Sequence, residues 1–233
     1  MLLQHLYPKV GTIDVVSDST VSRLGVLAER RWGMFTTAQA KVVGVSRKQL
    51  VRMTASGVLE RLTQGVYRMT GTPPQDNESV YATWLALGGA TSQPTEAGAP
   101  TLVAAGVTAA VVHDIGDFFL DGIDFIVGSR KTTRLPGVRL RIRPLTPAET
   151  ISINGLPTLT VERTITDLLD LGTDTSLIDD ALRHAARFGK ITHPRRLRTD
   201  LTAAPTRLRD DAGVLLDSLN EVLAPNEVAT LHG

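Results

Sequence analysis

The fold of the N-terminal part of the chain is decided by residues 33–68, which read GMFTTAQAKVVGVSRKQLVRMTASGVLERLTQGVYR. Two residue pairs in this stretch have the spacing of a capping box, in which a Thr or Ser hydroxyl and a Gln side chain three residues later satisfy the first N–H groups of a helix. The pairs are Thr36 with Gln39 and Ser46 with Gln49. Gly44 and Gly57 stand where these helices would stop. The stretch therefore predicts two short helices, over about 36–44 and 46–56.

The residues on either side of this pair predict a third helix and a hairpin. Upstream, apolar residues recur at three- and four-residue spacings over 21–32, which is typical of one buried helical face, and Gly33 ends that helix. Downstream, 58–62 and 66–69 are two β-prone runs joined by a short loop that contains glycine. Three helices followed by a hairpin is the order of a winged helix. We therefore predict a winged helix-turn-helix domain over 21–72.

In a helix-turn-helix unit the second helix lies in the major groove of DNA, and its first turns reach base edges. Leu50 and Met53 are the expected inward residues of that helix, so its basic residues point outward. Arginine can bond two acceptors of guanine and glutamine can do the same for adenine, whereas hairpin residues are better placed to contact phosphates. The candidate DNA-binding residues are Thr36, Thr37, Ser46, Arg47, Lys48, Gln49 and Arg52 on the helical part and Arg61, Gln64 and Arg68 on the hairpin.

The charge of the chain changes sign near residues 70–76. Residues 21–70 carry nine basic and two acidic side chains, whereas 71–128 carry seven acidic side chains and no Lys or Arg. This change predicts a domain boundary. A solvated basic face with no role in nucleic-acid binding is the alternative for the first segment. The charge balance, the two capping boxes and the hairpin together favour DNA binding.

Parts of the sequence resemble a known family. The stretches 33–40, 44–47 and 59–68 look like the N-terminal domain of AbiEi-type antitoxins. Residues 154–169, NGLPTLTVERTITDLL, are similar to the signature of the C-terminal part of the same proteins. The resemblance spans most of 20–200 and implies a transcriptional repressor of its own operon that counteracts a co-encoded nucleotidyltransferase-like toxin. Small residues over 88–100 depart from the family pattern and predict a flexible loop.

The second half of the chain predicts a mixed α/β domain over 76–200. The predicted helices are 81–87, 102–112, 160–171 and 177–188, and the predicted strands are 118–120, 123–127 and 138–143. A basic turn at 189–198 opens a further segment. Residues 201–233 form a partly helical C-terminal tail, and about the last 25 of them lack strong periodicity and are expected to fray. Residues 1–20 form an N-terminal extension.

Strict alternation over 138–143 places three basic residues on one face of a predicted strand. They are Arg139, Arg141 and Arg143. This stripe predicts a possible second basic surface for DNA, and pairing with the neighbouring acidic segment is the alternative. Arg163 and Asp167, four residues apart on the 160–171 helix, favour an ordinary ion pair of about 0.2–0.5 kcal/mol.

The sequence offers little support for an enzyme. Cysteine is absent, which excludes thiol catalysis and cysteine-ligated metals. The five histidines are scattered, and no phosphate-binding loop or nucleophile elbow occurs. The acidic cluster over 113–124 could hold a divalent cation in a nuclease, but a solvated loop is the preferred interpretation. We therefore predict no catalytic residue, cofactor or metal site.

Length and composition predict a soluble globular chain. It has 233 residues, of which 42% are hydrophobic and 21% charged, and its length favours two domains. The longest apolar stretch, 102–112, is shorter than the roughly 20 residues of a membrane-spanning helix, and the N-terminus does not read as a secretion signal, so we expect a cytoplasmic protein.

The prediction as a whole is an α+β protein with an N-terminal winged helix-turn-helix domain and a mixed α/β C-terminal domain. Its predicted function is that of a DNA-binding autorepressor and antitoxin, with double-stranded operator DNA and the toxin as partners and a homodimer on DNA. The alternative is an interaction module whose acidic 71–128 segment and C-terminal domain bind a basic partner, with non-specific DNA binding only.

Overall fold

The structure, a computed structural model, describes residues 18–29 and 31–230. It divides the chain into two compact units, Met1–Pro73 and Pro74–Gly233. Both units combine helices with β-sheet, so the predicted mixture of α and β structure is confirmed. Most of the predicted N-terminal extension and the end of the predicted tail lie outside the described residues.

The described part of the N-terminal unit contains three helices and three short strands. The helices are α1 (Asp18–Ala28), α2 (Thr37–Val42) and α3 (Arg47–Ala55), and the strands are β1 (Met34–Thr36), β2 (Leu59–Thr63) and β3 (Val66–Met69). The strands form an antiparallel sheet in the order β1-β3-β2. The predicted helices and hairpin are present. Strand β1 is absent from the prediction because three residues are too few to show a period.

One apolar core joins these helices to their sheet. Leu50 and Met53 of α3 are at most 1% exposed, as predicted, and they belong to one cluster with Leu24 of α1 and with Phe35 and Tyr67 of the sheet. The ring centroids of Phe35 and Tyr67 are 6.1 Å apart. This core fixes the inward face of α3 and therefore also its outward face.

Helix α1 ends at Ala28, before the predicted stop. The chain then reverses through Trp32 and Gly33, both in the left-handed region with φ of 55° and 74°. A Cβ atom at Gly33 would collide with the side chain of Thr72, so both the backbone and the packing require glycine.

The C-terminal unit is built on a five-stranded mixed sheet. Its strands are β4 (Leu102–Ala104), β5 (Ile123–Val127), β6 (Val138–Ile142), β7 (Thr150–Ile153) and β8 (Leu156–Leu159), in the order β6-β5-β4-β8-β7. Its helices are α4 (Glu78–Ala86), α5 (Gly106–His113), α6 (Val161–Asp170), α7 (Thr175–Arg187), α8 (Pro194–Thr202) and α9 (Arg209–Thr230). The pairs β4–β8 and β5–β6 are parallel, and the other two neighbouring pairs are antiparallel.

Two predictions for the C-terminal unit are wrong. The expected helix over 102–112 is strand β4 followed by helix α5, because a short, continuous apolar run does not distinguish a buried strand from a buried helix. The expected strand at 118–120 is irregular chain. Phe118 packs against the helical core, whereas Phe119 is 86% exposed. The apolar run therefore reflects the packing of one side chain and not a strand of the sheet.

The expected fraying after about residue 209 is wrong for 209–224, because these residues belong to helix α9 (Arg209–Thr230), while 231–233 lie outside the described residues. Leu208, Ala212, Leu215 and Leu219 recur at helical spacing and are at most 6% exposed. They share one core with α6, α7 and α8. Exposed Val214 lies between these positions and hides their period in the sequence. Segment 88–100 is irregular apart from a single 3-10 turn, Gly89–Thr91.

No helix in the described part of the chain combines the length and the apolar character that crossing a lipid bilayer requires.

Candidate nucleic-acid interface

Both predicted capping boxes form. The Gln39 backbone N–H donates to Thr36 Oγ1 at 3.2 Å, and the Thr36 N–H donates to Gln39 Oε1 at 2.8 Å. At the start of α3, the N–H of Gln49 donates to Ser46 Oγ at 3.3 Å, and the N–H of Ser46 donates to Gln49 Oε1 at 2.8 Å. These two caps fix where α2 and α3 begin from local sequence alone.

The outward face of α3 is basic. Arg47, Lys48 and Arg52 are exposed on the side opposite Leu50 and Met53. These three cations follow one another at helical spacings of one and four residues, so they form a continuous patch along one and a half turns. A patch of this kind supplies both charge for phosphates and forked donors for base edges.

One residue of the same face is apolar, and its residue type alone does not predict its outward position. Val51 is 57% exposed, between Lys48 and Arg52 in the sequence of α3. A valine in an amphipathic helix is normally assigned to the core. Its outward position could have been recognised from Leu50 and Met53, which define the buried side of α3. Val51 follows Leu50 directly, and one step along a helix turns it away from that side.

Gln49 is committed to the cap rather than to the outward face. Its Oε1 atom accepts hydrogen bonds from both the backbone N–H and the hydroxyl of Ser46, each at 2.8 Å. A bidentate contact with adenine needs this same oxygen as an acceptor. The prediction that Gln49 and Ser46 read bases therefore conflicts with the cap that positions α3, and we revise their role to one of positioning.

The hairpin places two of its three predicted contacts outward. Arg61 and Gln64 are exposed, and Arg61 Nε donates to the Thr63 carbonyl at 3.4 Å. Arg68 instead turns back along the sheet, where its Nη2 lies 2.5 Å from Glu60 Oε2 and its side chain is only 12% exposed. Glu60 and Arg68 are direct cross-strand neighbours, so this pair follows from the register, and the predicted phosphate contact by Arg68 is revised.

Thr36 and Thr37 lie where helix α2 meets the loop of the hairpin. The backbone N–H of Thr37 donates to the Gly65 carbonyl at 2.8 Å, and its hydroxyl donates to the same oxygen at 3.3 Å. These bonds fix the hairpin loop to the start of α2. Both threonines therefore have structural roles beside any contact with DNA.

The predicted second basic surface is largely paired within the C-terminal unit. Arg139 Nε donates to Asp124 Oδ1 at 2.8 Å and its Nη2 lies 3.3 Å from Asp121, so pairing with the acidic segment, the alternative use, is observed. The hydrogen bond to Asp124 raises the pKa of Arg139 above its usual value. Arg141 pairs with Asp167 and its side chain is 17% exposed, whereas Arg143 is exposed. The stripe is therefore not a continuous basic surface.

Asp167 is the centre of a buried polar network. Its two oxygens accept from Arg141 Nη1 and Nη2 at 2.9 and 2.6 Å, and its Oδ2 accepts the N–H of Gly106 at the start of α5 at 2.9 Å. Arg163 lies 4.0 Å away as the predicted i,i+4 partner. Arg163 Nε is also 3.4 Å from Glu149. The contact of Asp167 with Arg141 on strand β6 is therefore shorter than its i,i+4 contact with Arg163 on the same helix.

A second buried carboxylate, that of Glu162, holds the turn before α8. Its Oε1 accepts the backbone N–H groups of Thr192 and His193, each at 2.7 Å. Burial alone would raise the pKa of Glu162, but these hydrogen bonds outweigh it and lower the pKa below its ordinary value. The charged form of Glu162 therefore stabilises the fold.

Replacing Glu162 tests this assignment through its pH dependence. The carboxylate contributes stability above the unfolded-state pKa of about 4.3, and this contribution is lost as the pH falls through the lower folded-state pKa. We expect Glu162→Gln to lower the free energy of unfolding by about 1 kcal/mol at pH 7, since a neutral acceptor bonds more weakly. The difference from wild type should shrink below pH 4 in urea titrations followed by Trp84 fluorescence in a Trp32→Phe background.

The acidic cluster over 113–124 is dispersed. His113 Nε2–H donates to the Leu159 carbonyl at 2.6 Å, and burial lowers the pKa of this imidazole. Asp121 and Asp124 face Arg139, and Asp114 lies 3.5 Å from Lys190. Within residues 18–29 and 31–230, no three metal-ligating side chains converge. Three of its acidic residues, Asp114, Asp121 and Asp124, therefore lie beside cations of the chain.

A small helical unit that exposes a basic α3 beside a β-hairpin is typical of transcriptional regulators. Residues 27–70 match the family model described as "Transcriptional regulator, AbiEi antitoxin". The match runs from the end of α1 to the end of β3, so the resemblance to AbiEi antitoxins is confirmed over this segment. The resemblance of 154–169 to the C-terminal signature stays a prediction.

A solved structure shows the same overall fold. The chain resembles the crystal structure of the RV2827C protein from Mycobacterium tuberculosis with a TM-score of 0.55 and 19% sequence identity, over 88% of this chain and 81% of that one. At this identity the likeness concerns the fold alone. No curated protein matches the sequence.

Proposed function

We propose that the protein is a DNA-binding transcriptional regulator of the AbiEi antitoxin type that represses its own operon. One observation carries the proposal: the segment that matches the family model contains α3, whose outward face presents Arg47, Lys48 and Arg52. The N-terminal unit would act as a winged helix-turn-helix domain. Helix α3 would enter the major groove, while Arg61 and Gln64 on the hairpin would contact phosphates or the minor groove.

The antitoxin part of the proposal concerns the C-terminal unit. By the family resemblance, it would counteract a co-encoded nucleotidyltransferase-like toxin. The protein would bind an inverted repeat as a homodimer, because half-site spacing mirrors protein symmetry. This role needs no catalytic residue, cofactor or metal, and a repressor at its own promoter would act in the cytoplasm. The alternative, an interaction module for a basic partner, cannot use Asp124, because that side chain is buried against Arg139.

Fluorescence anisotropy tests the proposal directly. The full chain is titrated into labelled DNA from upstream of its own gene and into scrambled DNA of equal length, at two salt concentrations. We expect a preference of at least about 10³-fold for the upstream DNA that persists at the higher salt. Equal and salt-sensitive binding to both DNAs would contradict specific repression and favour the interaction module.

Val51 provides a finer test of how α3 reads DNA. An exposed valine in the major groove can contact only one feature of a base edge, the C5-methyl group of thymine. We expect Val51→Ala to weaken operator binding about fourfold, because it removes two carbons of which one would be buried against the thymine methyl group. Replacing a single operator thymine by uracil should weaken wild-type binding equally.

The two changes should not be additive, because each removes one side of the same contact. Val51→Ala would therefore be insensitive to uracil at that position. Val42→Ala is the matched control, since Val42 is 87% exposed at the end of α2. If no thymine in the operator responds to uracil substitution while specific binding is intact, Val51 does not read the groove.

A further inference from the structure

Strand β7 is an edge of the five-stranded sheet, and its outer hydrogen-bonding groups point away from β8. The N–H of Thr160 donates to the Glu149 carbonyl at 2.9 Å. Because hydrogen-bonded pairs alternate in an antiparallel ladder, the next bonded pair in the register is Ile151 with Thr158. Ser152 lies opposite Pro157, which has no N–H. The N–H and the carbonyl of Ser152 therefore face outward, as does the carbonyl of Thr150.

A groove follows this edge on the side of helices α6 and α8. It consists of two cavities of about 720 and 340 Å³ that share Ile151, Thr160 and Thr192 in their walls. Ala148 and Pro194 line the larger cavity. The smaller one is lined by the apolar Val112, Ile153 and Val161 and by three polar side chains that are hydrogen-bonded within the chain, His113, Glu162 and Lys190. Ile151 stands between the two and is 49% exposed, so its apolar side chain is available to a partner.

The larger cavity has a basic rim. Arg195 and His193 are exposed there, and Arg196 is half-buried. Arg196 is held in place by its hydrogen bond to the Ala148 carbonyl at 2.9 Å, and Glu149 and Asp200 lie 3.8 Å from it. Arg195 has no ion-pair partner among the residues that the structure describes. Arg195 is thus the cation at this rim that is available to an acidic group.

We propose that the edge of β7 and this groove bind an extended segment of a partner protein that carries alternating apolar side chains and an acidic residue beside Arg195. The segment would add to the sheet next to β7 as a sixth strand and bond the outward groups of Ser152 and Thr150. Its apolar side chains, which alternate along an extended chain, would enter the groove on either side of Ile151. An acidic residue at one end would pair with Arg195.

The physical character of the groove favours this occupant over the two other candidates. Nucleic acid would require cations along the whole floor, but Ala148, Ile151 and Pro194 make the floor apolar. A small ligand would gain nothing from the outward backbone groups of a strand about 13 Å long. The surface lies in the C-terminal unit and uses none of the residues proposed to bind DNA, so it is independent of repression.

The test uses a displayed library of random peptides, selected on the full-length protein. The expected result is enrichment of peptides with alternating apolar residues and a terminal Asp or Glu. One enriched peptide, synthesised with a fluorescent label, serves as the probe. Ser152→Pro removes the outward N–H, and Ile151→Asp places charge in the groove. Each should weaken peptide binding at least tenfold and leave operator DNA binding unchanged.

Ile142→Asp is the matched control. Ile142 is 52% exposed on β6, the opposite edge strand, so this change carries the same chemistry at a different edge. It should leave peptide affinity unaffected.

A charge reversal at Arg195 tests the acidic end of the peptide. Arg195→Glu should weaken binding of the acidic probe and restore binding of a probe whose acidic residue is replaced by Lys. The proposal is overturned if no peptide is enriched, if Ser152→Pro binds the probe as wild type does, or if Ile142→Asp weakens binding as much as Ile151→Asp.

Discussion

Asp167→Ala is expected to lower the free energy of unfolding of the C-terminal unit by about 3–5 kcal/mol, the cost of removing one partner of a buried ion pair. The Asp167 side chain is 1% exposed and makes two hydrogen bonds to Arg141 and one to the N–H of Gly106. Its removal leaves the Arg141 cation without its bidentate acceptor and the start of α5 without its anion. Trp84 fluorescence during urea unfolding, in a Trp32→Phe background, measures the loss.

A matched variant separates this buried pair from ordinary surface charge. Asp121 also lies within ion-pair distance of an arginine, at 3.3 Å, but its side chain is 83% exposed. Asp121→Ala should therefore change the free energy of unfolding by less than about 1 kcal/mol. If Asp167→Ala has an effect no larger than Asp121→Ala, the network does not hold the sheet to α5 and α6.

Replacing both partners shows whether the uncompensated arginine or the loss of the pair itself causes the loss of stability. The double variant Arg141→Leu with Asp167→Leu removes both charges of the pair, although it also leaves the Gly106 N–H without its acceptor. Buried ion pairs are often replaced by apolar residues at little cost, so this double variant should be more stable than Asp167→Ala alone. That result would assign the large single-site effect to the uncompensated arginine.

The structure of the N-terminal unit could be predicted because its determinants are local. Thr36 and Ser46 each cap a helix with a glutamine three residues away, and the hairpin loop is equally short-range. The local sequence pattern does not show that two roles require the same acceptor atom. Gln49 Oε1 cannot both complete the cap and read adenine, and that conflict is visible only when its hydrogen-bond partners are placed.

The C-terminal unit was harder to predict because its decisive contacts join distant residues. Alternation correctly placed Arg139 and Arg141 on one face of a strand, but their partners Asp124 and Asp167 lie 15 and 26 residues away in sequence. From sequence alone, a charged residue on a strand face is predicted to be exposed to solvent, because the element that packs over that face is not known. For helix α9, the sequence predicted a partly helical tail but not its packing, because the exposed Val214 lies between the buried leucines and obscures their period.

Arg47→Ala and Arg61→Ala should change DNA binding in different ways. Both side chains are exposed, Arg47 on the first turn of α3 and Arg61 on the hairpin. Loss of Arg47 should reduce discrimination at one operator base pair by about 1–3 kcal/mol, because a bidentate contact to guanine is specific to that base. Loss of Arg61 should weaken operator and scrambled DNA alike and lower the salt slope by about one, since a phosphate contact carries no sequence information.

Anisotropy titrations against a set of singly substituted operators, each at several salt concentrations, distinguish these outcomes. Arg31→Ala is the control, because it removes the same charge from a residue that is not on α3. Arg31 follows the end of α1, and its side chain donates to the Leu27 carbonyl at 3.1 Å. This variant should retain the full base preference of the wild type. If Arg47→Ala also retains it, and differs from Arg31→Ala only in overall affinity, α3 contributes charge but not specificity, and the base-reading role belongs elsewhere in the unit.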